Sequence, residues 1–376
     1  MSWERMKLGK AITLKRGYDL PNQARIVGNV PVISSSGVTD YHNEAMRSGP
    51  GVVTGRYGTL GQVFYVNEPY WPLNTTLYVS DFKGNDARFV SYFLRTLNLS
   101  GQNSAGAVPG LNRNILHELD IRFPPLPVQQ RIAAILSAYD DLIDNNRKRI
   151  ALLEKAARLL YEEWFVRLQF PGHEHTPVVE GVPQGWAKSK VEDIGEIITG
   201  KTPDTTRASY YGEDVPFIKT PDMHGNVYVI ETESSLSKEG ADIQPKKYLP
   251  KNAILVACIG AKLGVVSLSP GVSQTNQQIN AVITHDETAT YFAFFTLRAL
   301  KPRLEAVGGG ATMPNVNKSK FGSLELLLPN KALLQAFEGF CKPVFAQILI
   351  LQQQTQKLQQ ARDLLLPRLM SGELAV

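Results

Sequence analysis

The chain has 376 residues, 43% of them hydrophobic and 20% charged, the make-up of an ordinary globular protein and more chain than one domain usually takes. It has no run of eighteen apolar residues, and its start, MSWERMKLGK, has no apolar stretch, so neither a membrane span nor a secretory signal is expected. The net charge of +5 is spread unevenly: residues 1–126 carry 13 Lys+Arg against 9 Asp+Glu, and residues 171–330 carry 15 against 17, which argues against a strong solo nucleic-acid binder.

In chain order, Trp3 precedes Gly17 by fourteen residues, and short apolar runs follow, punctuated by Gly, Pro and Asn. VPVI (30–33), GVVTGRYG (51–58) and QVFYV (62–66) read as strands with turns, and RFVSYFLRTL (88–97) as a short helix. A polar loop, PGLNRNILHELDIRFPP (109–125), closes this stretch. Val128, Ile132, Ile135, Tyr139 and Leu142 then recur in steps of four and three. After a one-residue slip come Ile150, Leu153, Ala157, Leu160 and Trp164, a heptad-like stripe that predicts a long helix. Pro127 suits its first turn, and FPG (170–172) ends it.

From there the chain repeats itself. Trp186 precedes Gly200 by fourteen residues, and VPFI (215–218) answers VPVI. GAKLGVV (260–266) answers YGTLGQV, with Leu263-Gly264 on Leu60-Gly61. TNQQINAV (275–282) answers LNTTLYV (73–79), with Asn276 on Asn74. AFFTLRAL (293–300) answers SYFLRTL, and PNVNKSKFGSLELLLPN (314–330) answers the polar loop. The offset drifts from 183 to 205, as loop insertions would make it. A second apolar stripe runs Leu333, Phe337, Phe340, Val344, Ile348, Leu351, Leu358, Leu365, Leu369; Asn330 is placed to cap this helix and Pro367 to kink or end it. The expected order is globular unit, long helix, globular unit, long helix. A helix of about 39 residues spans about 58 Å, more than a unit of this size with a radius of gyration of about 14 Å. The two stripes are therefore expected to pack on each other.

This pattern resembles the specificity subunits of type I restriction–modification systems. The resembling residues are the two Trp-to-Gly starts, the Leu-Gly turn before NTT or NQQ, the join LNRNILHELDIRFPPLPVQQRIAAIL and the C-terminal LLLPRLMSGEL. The resemblance covers essentially the whole chain. It implies an α+β fold of two similar target recognition domains, residues 1–126 and 171–329, separated by two long antiparallel spacer helices, residues 127–170 and 330–376. It implies a non-catalytic subunit that reads a bipartite target in double-stranded DNA. The implied partners are two modification (methyltransferase) subunits and, in the full complex, restriction subunits. The other reading open at this point is a scaffold or interaction protein with two globular heads on a coiled coil and no DNA role.

Base contact needs polar side chains on loops that reach a groove. The candidates are Arg56, Tyr57, Asn74, Thr75, Asn112 and Arg113 in the first half. In the second half they are Lys219, Thr220, Lys262, Asn276, Gln277, Asn317 and Lys318. The four asparagines equally suit turns that satisfy their own backbone, whereas Arg113, Lys262 and Lys318 suit phosphates.

An enzyme acting alone should show a cofactor or nucleotide loop; GRYGTLG (55–61) lacks the G-x-G, NTTLY (74–78) lacks the prolines of an Asn/Asp-Pro-Pro-aromatic motif, and no ATP motor is expected, although GEIITGKT (195–202) has the letters of G-x-x-x-x-G-K-[ST] without further glycine. No cofactor and no metal are expected. Cys258 and Cys341 form no metal-spaced pair and fit a reducing cytoplasm. HEH (173–175) reads as linker, GGG (308–310) as a flexible loop, and DDLIDNN (140–146) as a solvated helix face. Pro221-Asp222 lacks the Glu-x-Lys partner of a nuclease centre.

Overall fold

The computed structural model describes residues 3–102, 110–309 and 314–376. They form two compact units, Met1–Ile143 with Lys357–Val376, and Asp144–Gln356.

Unit 1 is built on an antiparallel sheet of β1 (Thr13–Arg16), β2 (Gly51–Gly55), β3 (Val63–Val66) and β4 (Thr76–Asp81), in the spatial order β1-β4-β2-β3. Successive side chains leave opposite faces of a strand, and both faces here are covered. Val52, Leu77 and Val79 enter the main core, while Val53 and Tyr78 join Ile33 and Tyr70 on the other side. Helix α1 (Ala87–Arg95) fills the first face with Phe89, Val90, Tyr92, Phe93 and Leu94. Asp86 caps it, the carboxylate accepting the Phe89 N–H at 2.7 Å. On the second face, Val30–Ser34 pairs antiparallel with Gly37–His42 and parallel with Trp71–Pro72. The polar loop becomes a short helix, α2 (Arg113–His117), then the strand Asp120–Phe123, which pairs antiparallel with Glu4–Lys7. The long helix α3 (Leu126–Tyr161) follows.

Unit 2 repeats the scheme with β5 (Gly195–Thr199), β6 (Ile254–Ala257), β7 (Val266–Leu268) and β8 (Ile279–Thr284), ordered β5-β8-β6-β7. Ile254, Val256 and Val282 face the large core under α4 (Thr290–Ala299), and Leu255, Ala257 and Ala281 face the other side. Its second sheet has one strand more than that of unit 1. Ala187–Lys190 pairs with Glu325–Leu328 beyond α5 (Lys318–Gly322), and the last helix is α6 (Lys331–Ser371). Asn330 caps α6 as expected, accepting the Leu333 N–H at 2.9 Å.

Each long helix contributes to both units, α3 passing from the first into the second after Ile143 and α6 from the second into the first after Gln356. Within unit 1, Leu365, Leu366, Leu369 and Met370 of α6 pack in the core that holds Val128, Ile132, Ala133 and Leu136 of α3. Within unit 2, Phe337 of α6 lies 6.4 Å from Tyr161 and 6.0 Å from Trp164, centroid to centroid. Within unit 1 the early part of α3 thus packs with the late part of α6, and within unit 2 the end of α3 packs with the early part of α6. After Tyr161 the chain winds through a π-helical turn, Glu162–Val166, closed by the Arg167 N–H on the Glu162 carbonyl at 2.9 Å.

Two expectations need correction. Pro367 does not end α6: the helix continues to Ser371, because Leu369 and Met370 beyond the proline are buried in the unit 1 core and outweigh one lost N–H. Asp140 is no solvated face residue: with its side chain 19% exposed, it accepts from Arg362 at 2.6 Å and from the Tyr92 hydroxyl at 2.5 Å. Separately, α6 contains a window of mean hydropathy 1.3, long and apolar enough by composition to cross a membrane, the one such helix among the described residues. Leu334, Phe337, Cys341, Phe345 and Ile348 on it are buried in the unit 2 core.

Candidate nucleic-acid interface

In unit 1, three chain segments meet where β2 ends. The N–H groups of Arg56 and Tyr57 both donate to the Thr75 carbonyl, at 2.8 and 3.2 Å, and the Leu111 N–H donates to the Arg56 carbonyl at 2.9 Å. Gly110 sits under the Tyr57 ring, where a Cβ would meet ring carbon at 2.5 Å, so a side chain there would displace the tyrosine. The Arg56 guanidinium lies 4.4 Å above the Tyr57 ring and donates to its hydroxyl at 3.2 Å. Asn112 caps α2 by accepting the Asn114 N–H at 3.0 Å. Arg16, Arg56, Tyr57, Asn112 and Arg113 line one open cleft of about 430 Å³. Close by, His117 takes the Leu14 N–H on its Nε2 at 2.9 Å. Burial, and then the nearby Lys83 and Arg113, hold its imidazole below its ordinary value.

Four of the six candidates in this half therefore converge on the cleft. Asn74 does not: its amide donates to the Asp19 carboxylate. Thr75 contributes its carbonyl, and its hydroxyl is buried without a hydrogen-bond partner. Arg16, at the end of β1, belongs to the cleft and was missed. Its signal in the sequence is its place directly before the recurring Gly17.

Unit 2 reproduces these bonds. The Cys258 N–H donates to the Gln278 carbonyl at 2.8 Å, and the Val316 N–H to the Cys258 carbonyl at 2.9 Å. Asn317 caps α5 by accepting the Lys320 N–H at 2.9 Å. Gly17 donates to the Thr76 carbonyl and Gly200 to that of Ile279, both at 3.1 Å. Leu73 donates to the Ile33 carbonyl at 2.9 Å, and Asn276 to that of Ile218 at 3.1 Å. This fixes the equivalence and corrects one expectation: Asn276 stands where unit 1 has Leu73, and Asn74 is matched by Gln277. The turn at 260–264 has one residue more than that at 58–61, which moves the offset from 202 to 203. Gln277 is held by the Thr202 hydroxyl at 2.7 Å, as Asn74 is by Asp19.

The remaining candidates are dispersed. Lys219 pairs with Glu233 at 3.3 Å. Thr220 is buried and donates to Gln278 at 3.1 Å, and the Asn276 amide donates to the same Gln278 oxygen at 3.1 Å. Lys262, Gln277 and Lys318 are exposed on the loops around the shared scaffold. Among the described residues no cluster of three His, Cys, Asp or Glu side chains could hold a metal ion. His173 of HEH approaches the Phe170 carbonyl at 2.9 Å within a local turn. Gly308 and Gly309 follow α4 at the end of a further helix, and Gly310 lies outside the described residues.

Two stretches of the chain, residues 2–155 and 183–360, match the family of the type I restriction modification DNA specificity domain. The specificity subunit of the type I restriction enzyme HindI of Haemophilus influenzae is 30% identical over 335 residues, 73% of either chain. The MjaIX specificity subunit of Methanocaldococcus jannaschii is 25% identical over 302 residues, 77% of this chain and 69% of that one. The fold is shared with the crystal structure of a type I restriction–modification S subunit from M. genitalium, with a TM-score of 0.70 over 98% of this chain and 96% of that one at 14% identity. With two copies of the specificity domain on one duplicated scaffold, the chain belongs to the specificity subunits of type I restriction–modification systems, the non-catalytic components of those assemblies.

Proposed function

We propose that this chain reads a bipartite double-stranded DNA target, one half with each unit, and delivers two modification subunits to it. Restriction subunits join through these in the full complex. The observation that supports this most is the pairing of identical backbone bonds with unlike side chains. Arg56 answers Cys258, Tyr57 answers Ile259, Asn74 answers Gln277 and Arg113 answers Lys318 on the same hydrogen-bonded frame. Two readers of one fold with different surfaces suit two different half-sites. Residues 1–126 and 171–329 are the recognition domains in this reading. Residues 127–170 and 330–376 are the spacers that set the unspecified gap and take the modification subunits. The mild charge is no obstacle, because partner subunits then supply much of the phosphate contact. The chain would work in the cytoplasm, where the DNA is, without a cofactor of its own.

The test compares the full chain with and without its modification subunits. The complex should bind one bipartite duplex well above scrambled DNA and methylate it with S-adenosylmethionine, while the chain alone transfers no methyl group. Methyl transfer by the chain alone, or binding indifferent to sequence, would refute the reading.

A further inference from the structure

The two units differ in charge at matching places. In unit 1, Arg16, Arg56 and Arg113 share one cleft. The positions that answer them in unit 2 are Thr199, Cys258 and Lys318, since Arg16 pairs with Leu77 as Thr199 pairs with Asn280. Thr199 is engaged there, its hydroxyl donating to Asn280 at 2.6 Å and its carbonyl accepting from Lys247 at 2.8 Å. Cys258 is buried. At these three matched positions unit 1 thus carries three cations and unit 2 one, while Lys247 reaches the Thr199 carbonyl from outside them.

Among the described residues the only carboxylate within ion-pair distance of the three arginines is Asp19, 3.4 Å from Arg16, and residues 103–109 contain no acid. The Arg56 guanidinium lies over the Tyr57 ring with one amino group on the tyrosine hydroxyl, and among the described residues the rest of its N–H fork meets no side-chain acceptor, which leaves it for a ligand. A base edge in a groove offers acceptors for one such fork. Three guanidinium groups around one cleft exceed that and match the oxygens of a phosphodiester, which accept several charged N–H groups at once.

We propose that the unit 1 cleft grips a backbone phosphate of the DNA through Arg16, Arg56 and Arg113, a triad of arginines that the matched positions of unit 2 do not carry. The inference rests on the DNA-reading function proposed above. It makes the first unit the seat of a sequence-independent, salt-sensitive share of the affinity.

The experiment uses the complex of the full chain with its modification subunits and a fluorescent duplex carrying its methylation target. Affinity is measured from 50 to 200 mM salt for the native complex, for Arg16→Gln with Arg113→Gln, and for Arg16→Lys with Arg113→Lys. Loss of a phosphate contact lowers the slope of log affinity against log salt by about 1. Across this range the native complex should therefore lose about four times more affinity than the glutamine variant. The loss should be the same whatever bases the duplex carries, and the lysine variant should keep the native slope. An unchanged slope in the glutamine variant, with specific binding retained, overturns the anchor and leaves the DNA-reading function standing. A loss confined to one base position also overturns it, because the arginines would then read a base. A native complex that ignores sequence sinks the function itself.

Discussion

The two recurring glycines are a direct probe of the duplicated scaffold. Gly17 and Gly200 each sit where a strand leaves the main sheet and crosses the loop before β4 or β8. A Cβ on Gly17 would lie 2.1 Å from the Leu73 carbonyl oxygen, and one on Gly200 2.1 Å from that of Asn276. Ordinary contact is about 3.5 Å, so Gly17→Ala must push two backbone segments apart by about 1 Å. Those segments are tied by the Gly17 bond to Thr76 at 3.1 Å and the Tyr18 bond to Pro72 at 2.8 Å. Overpacking of a tight site costs about 1–3 kcal/mol, and strained backbone bonds put this case near the upper end, about 3 kcal/mol. Hydrogen exchange read by mass spectrometry separates the units. In Gly17→Ala, amides of Thr76–Asp81 should exchange about 100-fold faster, the rate equivalent of that free energy, with Ile279–Thr284 unchanged. Gly200→Ala should show the reverse. Gly339→Ala serves as the control, because beyond its chain neighbours and its own helix backbone nothing lies within 4 Å of the added carbon, and it should stabilise α6 by about 0.5–1 kcal/mol. Native exchange in Gly17→Ala would refute the close crossing and with it the structural equivalence of the two glycines.

Other outcomes follow from the same geometry. Burial raises the Glu338 carboxyl to about 7, and one of its oxygens is buried without a partner. A folded-state value above the unfolded one favours the protonated form, so this stability is present below about 4.5 and is lost as pH rises through about 7. Glu338→Gln should therefore stabilise unit 2 by about 1–2 kcal/mol at pH 8, after allowing for partial exposure, and by little at pH 4. Urea melts at the two pH values check this, and an equal effect at both contradicts it. For His117 the sign is opposite: the folded imidazole stays neutral, so unit 1 should lose stability as pH falls below about 6.5, and His117→Gln should flatten that part of its pH profile. Inserting four residues after Ala151 lengthens α3 by about 6 Å, close to two base-pair steps. Methylation should then move to the same half-sites with a wider gap or be lost, and an unchanged gap would show that something other than the helix measures the distance.

Much of this architecture was legible before any coordinates. The repeat could be read because buried strands and turns tolerate few residue types. GVVTG and AILVA carry the same two-faced burial, and the capping asparagines 112 and 317 recur because a helix start needs a side-chain acceptor. The register of LNTTLYV against TNQQINAV was misjudged because matching asparagine to asparagine is a weak rule when the preceding turn can gain a residue. Only the hydrogen bonds of Leu73 and Asn276 decide it. Arg16 was overlooked because nothing in a strand's sequence tells which loop will fold over its end. Pro367 misled because local propensity ignores what Leu369 and Met370 gain by burial 30 residues or more from the start of their helix. The stripes also named Ile135, Leu142 and Phe340, which are exposed, and the sharing of each long helix between two units was beyond them, since a heptad pattern does not name the partners of its face.

The central claim is that one duplicated scaffold with two different surfaces reads two halves of one target. Methylome sequencing tests it most directly, in a host whose only type I system is this chain with its modification subunits. The account predicts a single methylated motif of two short, unlike half-sites separated by a fixed run of unspecified bases. A continuous motif, or a motif whose halves are the same sequence, would contradict it.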